Sequence, residues 1–413
     1  MHVALLHYSV PPVVGGVESV IAHQARCIAA IGHNVRIIAA RGEQTDPQTP
    51  LVRIPLADSR GERVSHVKGQ LDCGAVTEAF QSLRADLRDQ LAQALADVDV
   101  LIAHNVCSLN KNLALTAALY DLFHSMPAAR RTKLILWHHD LAWTTPRYLP
   151  ELHHGYPWNL LRSAWPAATQ VVVSALRRDE LSDLMGISPD AISIVPNGLD
   201  IERFHKLEAQ TRALARLMRL TQADLILLLP VRVTPRKNIE LALRTLAELR
   251  RTFRRPVLIV TGPLGPHNDS NADYFQTLRA TRADLKLEDA AYFLAELTDR
   301  FLSDEVVADF YRLADALFLP SREEGFGLPM LEAAVSRLPI FCSDIAPLRA
   351  LGEGDASFFS PDEDPRRLAE MIAGRLLSNE NFRAAVRVRN HYSWEQICAR
   401  YIGPLLEKVA HAQ

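Results

Sequence analysis

At 413 residues the chain is too long for one ordinary hydrophobic core, and two domains of roughly 200 residues each are expected. Its 48% hydrophobic and 23% charged content is that of a soluble globular protein, and a formal net charge of -2 gives no electrostatic case for a nucleic-acid partner. The five cysteines (Cys27, Cys73, Cys107, Cys342, Cys398) show neither metal-ligand spacing nor a disulfide framework, which fits a reducing, cytoplasmic setting.

Met1 leads straight into the apolar run Val3-Ala4-Leu5-Leu6, so the N-terminus reads as a first buried strand rather than a signal peptide. No run approaches the roughly 18 apolar residues of a membrane span, although contact with a membrane surface stays open. Past Pro11-Pro12, the turn Gly15-Gly16-Val17-Glu18 opens a helix with Val20, Ile21, Ala25, Ile28 and Ala29 on one face. Gly32 stops that helix, and Val35 to Ile38 is the next strand. The result is a βαβ unit with glycines at its first turn, where doubly wound folds bind ligands, but G-x-G-x-x-G is absent. On its own, Gly-Gly is more often a plain turn than a ligand loop.

Residues 80–96 read as a helix and 98–104 as a strand, with His104 and Asn105 at the C-terminal edge where parallel sheets carry function. Polar residues that merely close a strand are the competing reading. Lys133 to Leu136 is a further strand, running into Trp137-His138-His139-Asp140. Neighbouring strand residues point to opposite faces and no third ligand follows at metal spacing, so no metal site is expected. Residues 141–166 are rich in proline and hold Trp143, Tyr148, Tyr156, Trp158 and Trp165 without clear periodicity. Such rings suit a carbohydrate acceptor, with apolar C–H faces and hydroxyl edges, or equally an aromatic anchor for the loop. Strands at 171–174 and 192–195 close on the turn Pro196-Asn197-Gly198.

Arg203 to about Asp224 reads as a charged helical bridge, and Leu225 to Pro230 as a new strand. That strand delivers Arg232 and, five residues later, Lys237 at a helix start, where a planar fork and a point charge can converge on one anion. Solvated surface cations are the alternative. Strands at 256–260 and 291–294 and a helix at 304–314 follow, then the apolar run Ala316 to Leu319. Next comes Ser321-Arg-Glu-Glu-Gly-Phe-Gly-Leu-Pro-Met-Leu-Glu, ending at Glu332. Gly325 and Gly327 let backbone approach a ligand, and Pro329 suits the first position of a helix. Strand, glycine turn and helix N-terminus make a place for an anion. Glu324 and Glu332 flank it and suit hydroxyl groups better than phosphate.

This string resembles the Glu-Gly-Phe-Gly-Leu-Pro…Leu-Glu-Ala signature of the retaining glycosyltransferases of family 4. The resemblance implies an α/β architecture of the GT-B type, with two Rossmann-like doubly wound parallel-sheet domains facing across a cleft. Domains are expected at 1–205 (acceptor side) and 206–390 (donor side), with a terminal helix, 391–413, crossing back. By resemblance, Arg232 and Lys237 form the diphosphate clamp, Glu324 addresses the donor sugar, and Glu332 addresses the ribose. Gly325, Phe326, Gly327 and Leu328 line the donor, Leu294 lies near the base, and Gly15 and Gly16 approach the diphosphate. His139 is expected to position and stabilise near the sugar, with Asp140 beside it. Trp143, Tyr148, Trp158, His104 and Asn105 are acceptor-side candidates. Two departures stand out: Asn238 and Arg337 occupy positions where the family often has glycine. The expected reaction moves a hexose from a UDP- or GDP-linked sugar to a carbohydrate or glycoconjugate, with no cofactor and no metal. A sugar-nucleotide epimerase and a non-catalytic nucleotide-sugar-binding protein are the alternatives. The base, the sugar, the acceptor and the oligomeric state are not written in the residues.

Overall fold

The chain's short, almost unbroken apolar runs become strands covered on both faces, as parallel sheets require. The computed structural model describes residues 1–125, 132–263, 269–300 and 302–411. The chain divides into two compact units, Met1–Gly198 with Trp394–Gln413, and Leu199–Ser393.

The first unit holds seven strands: β1 (His2–Leu6), β2 (Asn34–Ala39), β3 (Leu51–Arg53), β4 (Val100–His104), β5 (Lys133–His138), β6 (Ala168–Val172) and β7 (Ile192–Ile194). They are ordered β3-β2-β1-β4-β5-β6-β7, and every pairing is parallel. The second unit holds β8 (Leu225–Leu229), β9 (Pro256–Val260), β10 (Ala291–Phe293), β11 (Ala316–Leu319), β12 (Ile340–Ser343) and β13 (Ser357–Phe359). Their order is β10-β9-β8-β11-β12-β13, again parallel throughout. Both units are therefore α/β, doubly wound and Rossmann-like. Each reverses strand order once, between β1 and β4 and between β8 and β11. The C-terminal ends of those pairs are where such folds offer a crevice.

Three expected elements take a different form. The bridge at 203–224 is not one helix: it breaks into Ile201–Phe204, Ala209–Leu217 and a 3-10 turn Leu220–Gln222. Lys206 and Arg219 adopt left-handed backbone (φ +53° and +50°), and the Asp309 carboxylate accepts from the Glu208 N–H and the Thr211 hydroxyl, both at 2.7 Å. A buried acceptor thus starts a new helix where charge pattern alone suggested continuity. The terminal helix also breaks. A helix Glu380–Tyr392 gives way to extended Ser393, followed by Trp394–Ile397, a π-helical turn Cys398–Ile402 and Gly403–His411. Trp394, Ile397, Ile402, Leu405, Leu406 and Val409 pack into the core of the first unit beside Ile21, Ala25 and Ile28. Gly198 is glycine for this reason, since a Cβ there would lie 2.6 Å from the Trp394 ring.

The aromatic segment 141–166 is largely core. Trp158, Trp165 and Tyr148 are buried in the same cluster as Phe80 and Leu87, and Trp143 packs against it. The Trp143 ring N–H donates to the Trp158 carbonyl at 3.2 Å. With their faces occupied, Tyr148 and Trp158 cannot stack on a sugar; of the two readings, the packing favours the anchor.

Candidate active site

In the second unit, the loop after β8 and the loop after β11 meet at the strand reversal. Lys237 closes a 3-10 turn, Pro235–Lys237, and its Nζ donates to Glu324 Oε1 at 2.5 Å. Both side chains are nearly buried, at 9% and 8% exposure. The Ser321 hydroxyl donates to the same Glu324 oxygen at 2.7 Å, and the Arg322 N–H donates to the Arg236 carbonyl at 2.8 Å. The two loops are therefore stitched by backbone and side chain. Sequence reading placed Lys237 and Glu324 in the site but not as partners, and missed Ser321 as the third member.

Arg232 takes another position. It is exposed and lines a cavity of about 740 Å³ with Gly262, Leu294, Leu328, Pro329 and Glu332. Lys237 is not among the lining residues. Gly262 must lack a side chain, because a Cβ would sit 2.0 Å from the Val231 carbonyl oxygen. Glu332, exposed near the start of the helix Leu328–Val335, accepts through Oε2 from the Tyr311 hydroxyl. Burial and that carboxylate together push the Tyr311 phenol up, so it stays a donor. Tyr311 carried no sequence signal, lying on a separate helix 21 positions away.

The glycine turn divides by cause. Gly327 has φ +104°, and a Cβ there would meet Leu348 at 2.7 Å, so its absence of side chain is structural. A Cβ on Gly325 would meet nothing, so the space beside it is open. Phe326 is 55% exposed and Leu328 60%, so the turn presents apolar side chains beside the open space at Gly325. Asn238 adopts φ +52°, which explains why glycine suits the position and why asparagine, which tolerates left-handed backbone, replaces it. Its amide also donates to the Pro361 carbonyl at 2.8 Å.

In the first unit the ends of β1, β4 and β5 gather a histidine cluster. His104 Nδ1 and His139 Nε2 lie 3.1 Å apart, and His7 Nδ1 donates to the His104 carbonyl at 2.9 Å. His104 Nε2 is buried without a partner. A bare acceptor is cheaper to bury than a bare N–H, so His104 donates from Nδ1 and His139 carries its own proton on Nδ1. Burial drives the His139 imidazole down to about 3 and His138 to about 4, with His104 also well below the usual range. The ring of His139 is therefore neutral at neutral pH. Asn105 Oδ1 accepts from the His139 and Asp140 amides at 2.8 and 3.2 Å, with its own backbone at φ +58°. Asn105 positions the His139–Asp140 turn, a role its place at a strand end only hinted at. Asp140 lies 3.8 Å from Arg177.

Gly15 caps the helix Gly16–Ala30. A Cβ on Gly15 would collide with the Glu18 carboxylate at 2.0 Å, while one on Gly16 would meet nothing. Glu18 Oε1 accepts from the Ser9 hydroxyl at 2.8 Å and lies 4.0 Å from His7 Nε2. Glu18, Ser9 and His7 were not singled out in the sequence; the Gly-Gly-x-Glu string was their one signal. Among the described residues no group of three or more His, Cys, Asp or Glu side chains is placed to hold a metal ion.

Two family models match successive parts of the chain: Glycosyltransferase Family 4 over residues 14–203 and Glycosyl transferases group 1 over 219–390. The chain belongs to the family 4 glycosyltransferases. The chain is 28% identical over 289 residues to the mannosylglucosylglycerate synthase of Petrotoga mobilis, covering 64% of this chain and 65% of that one. To the D-inositol 3-phosphate glycosyltransferase of Acidothermus cellulolyticus it is 31% identical over 263 residues, 61% of this chain and 53% of the other. The matched stretch thus spans between half and two thirds of these two relatives. The glycogen synthase of Mycobacterium tuberculosis is 26% identical over 427 residues, covering 96% and 92% of the two chains.

Proposed function

We propose that this glycosyltransferase moves a hexose from a UDP- or GDP-linked donor to a hydroxyl of a carbohydrate or glycoconjugate, with retention of anomeric configuration. One observation carries the reading: the buried Lys237–Glu324 pair at the β8/β11 reversal, on the loops that also bear the Arg232-lined cavity and the Phe326 turn. The leaving group is a nucleoside diphosphate, so the catalytic task is to stabilise charge growing on its β-phosphate. Arg232, Lys237 and the amides of Gly325 to Gly327 at the N-terminus of Leu328–Val335 supply that positive potential. The cavity, with Leu294 and Leu328 as apolar wall and Glu332 as acceptor for ribose hydroxyls, suits a base and its sugar. Glu324, held by Lys237 and Ser321, keeps its second oxygen for a donor hydroxyl.

On departure, the C1–O bond to phosphate breaks and the acceptor oxygen bonds C1 from the same face. The acceptor proton passes to the leaving phosphate, which accounts for a site without a paired general base. His139, neutral, donates a hydrogen bond rather than a proton.

The test is incubation with UDP- and GDP-linked glucose, mannose, galactose and N-acetylglucosamine against an acceptor panel, with nucleotide release and product NMR as readouts. Transfer with an α-linked product from an α-linked donor is expected. Donor converted to another sugar nucleotide without acceptor would establish an epimerase instead, and binding without turnover of any donor would leave a binding protein.

A further inference from the structure

The C-terminal edge of the first unit's sheet holds a second group of charges that the donor chemistry does not use. Lys111 follows β4, Arg147 follows β5 and Arg60 follows β3. Lys111 Nζ lies 4.9 Å from the centroid of the Tyr148 ring and Arg147 Cζ 4.7 Å from the same centroid. Arg147 Nη2 also donates to the Tyr148 hydroxyl at 3.0 Å. Two cations are thus brought to one buried ring. The carboxylates nearby are already engaged. Asp72 and Glu151 hold Lys68 at 2.6 and 2.9 Å, Glu151 also accepts from Asn110, and Asp58 holds Arg41 at 2.8 Å. Among the described residues, Lys111, Arg147 and Arg60 form no ion pair with a carboxylate.

The consequence is felt at Lys111, which is half-buried. Burial holds its ammonium below the usual lysine range; Glu151 opposes this, and the smaller effects of Lys68, Arg147 and Arg60 add to the depression. Beside the cluster, the Tyr8 hydroxyl is buried and without a hydrogen-bond partner. Burial and the nearby Cys107 and Tyr148 push its phenol up, so it remains a neutral donor. Like charges kept together, with Glu151 opposing them at Lys111 but already shared with Lys68 and Asn110, next to an unused donor, call for an anion from outside. A neutral sugar fits less well, because Tyr148 has its ring covered by cations and core.

We propose that Lys111, Arg147 and Arg60 bind an anionic group, a phosphate or a carboxylate, carried by the acceptor. That the anion belongs to the acceptor rests on the transfer reaction proposed above; the anion site itself does not.

The experiment is calorimetric titration of the full chain with glycerol 3-phosphate, glycerate and glycerol, repeated on Lys111→Met and Arg147→Gln. Binding of one or both anions in preference to glycerol is expected, weakened roughly tenfold or more in each variant, as for loss of a charge-assisted hydrogen bond. Which anion binds tells phosphate from carboxylate. Anion affinity equal in wild type and both variants, or no preference over glycerol, overturns the proposal. Both residues have exposed or half-exposed side chains, so unchanged melting curves are expected, and Arg60→Gln gives a third, fully surface variant. The transfer assay is read separately. Absence of transfer with every donor sinks the reaction while leaving the titration result standing.

Discussion

Lys237 and Glu324 illustrate what a residue-level reading sees and what it does not. Each was recognisable from its own motif, but 87 positions separate them and no periodicity links the two. Only the sheet order, which sets β8 beside β11, makes them partners. Their nearly complete burial changes what a substitution means. Truncating either leaves the other an unpaired buried charge, at a cost of about 3–5 kcal/mol. We therefore expect Lys237→Ala to lower turnover by roughly 10²–10³-fold and to destabilise the fold in urea. The double variant Lys237→Met/Glu324→Gln should regain most of that stability without regaining activity. Nucleotide release and urea melts together separate the two effects; turnover restored with stability would remove Lys237 from the chemistry. The histidines give a second expectation. A buried imidazole whose folded pKa lies below its ordinary 6.5 makes stability greatest above that value, because the unfolded chain binds protons that the native chain refuses. Stability should fall as pH drops below 6.5, the contribution of His138 being lost down to about 4 and that of His139 down to about 3. Urea midpoints measured at pH 7.5, 6 and 5 check this, and His138→Gln should flatten the decline.

At the scale of elements, the strands were legible because a parallel sheet buried on both faces needs uninterrupted apolar residues, as in β8, Leu225 to Leu229. Helix continuity was less so. The bridge at 203–224 shows no proline and no glycine, yet breaks where Lys206 and Arg219 turn left-handed. At the first break Asp309, on a distant helix, accepts from the start of the new helix, and at the second Arg255 donates to the Arg219 carbonyl. The aromatic segment left two readings open for a related reason: Trp and Tyr signal either contact with sugar or packing, and burial, which bears on the choice, is not a local property. Arg337 carries the clearest local cost. It sits at φ +60°, in the position where the family pattern favours glycine. Left-handed backbone costs a non-glycine residue roughly 1–2 kcal/mol, and glycine's extra unfolded-state freedom offsets only part of that. Arg337→Gly should raise the melting temperature by a few degrees with activity unchanged. A lower melting temperature would mean that the arginine side chain makes a compensating contact.

At the scale of the molecule, the first unit is assembled from two stretches of chain that are almost two hundred residues apart. Its core includes Trp394, Ile397, Ile402, Leu405, Leu406 and Val409, and Trp394 stacks on His23 with ring centroids 5.3 Å apart. A chain ending at Ser393 should therefore leave the second unit's sheet intact and unfold the first at lower denaturant, seen as two separated transitions. A single, unshifted transition would contradict the packing described.

This interleaving has a consequence for synthesis on the ribosome. Everything up to Gly198 emerges early, but its hydrophobic seam beside Ile21 and Ile28 stays unsealed until Trp394 to Val409 are made. The later-made unit, complete at Ser393, is free to mature while the earlier one, whose strands are all made, still lacks Trp394 to Val409. A nascent chain stalled near its end would thus expose a greasy flank on the half that was made first.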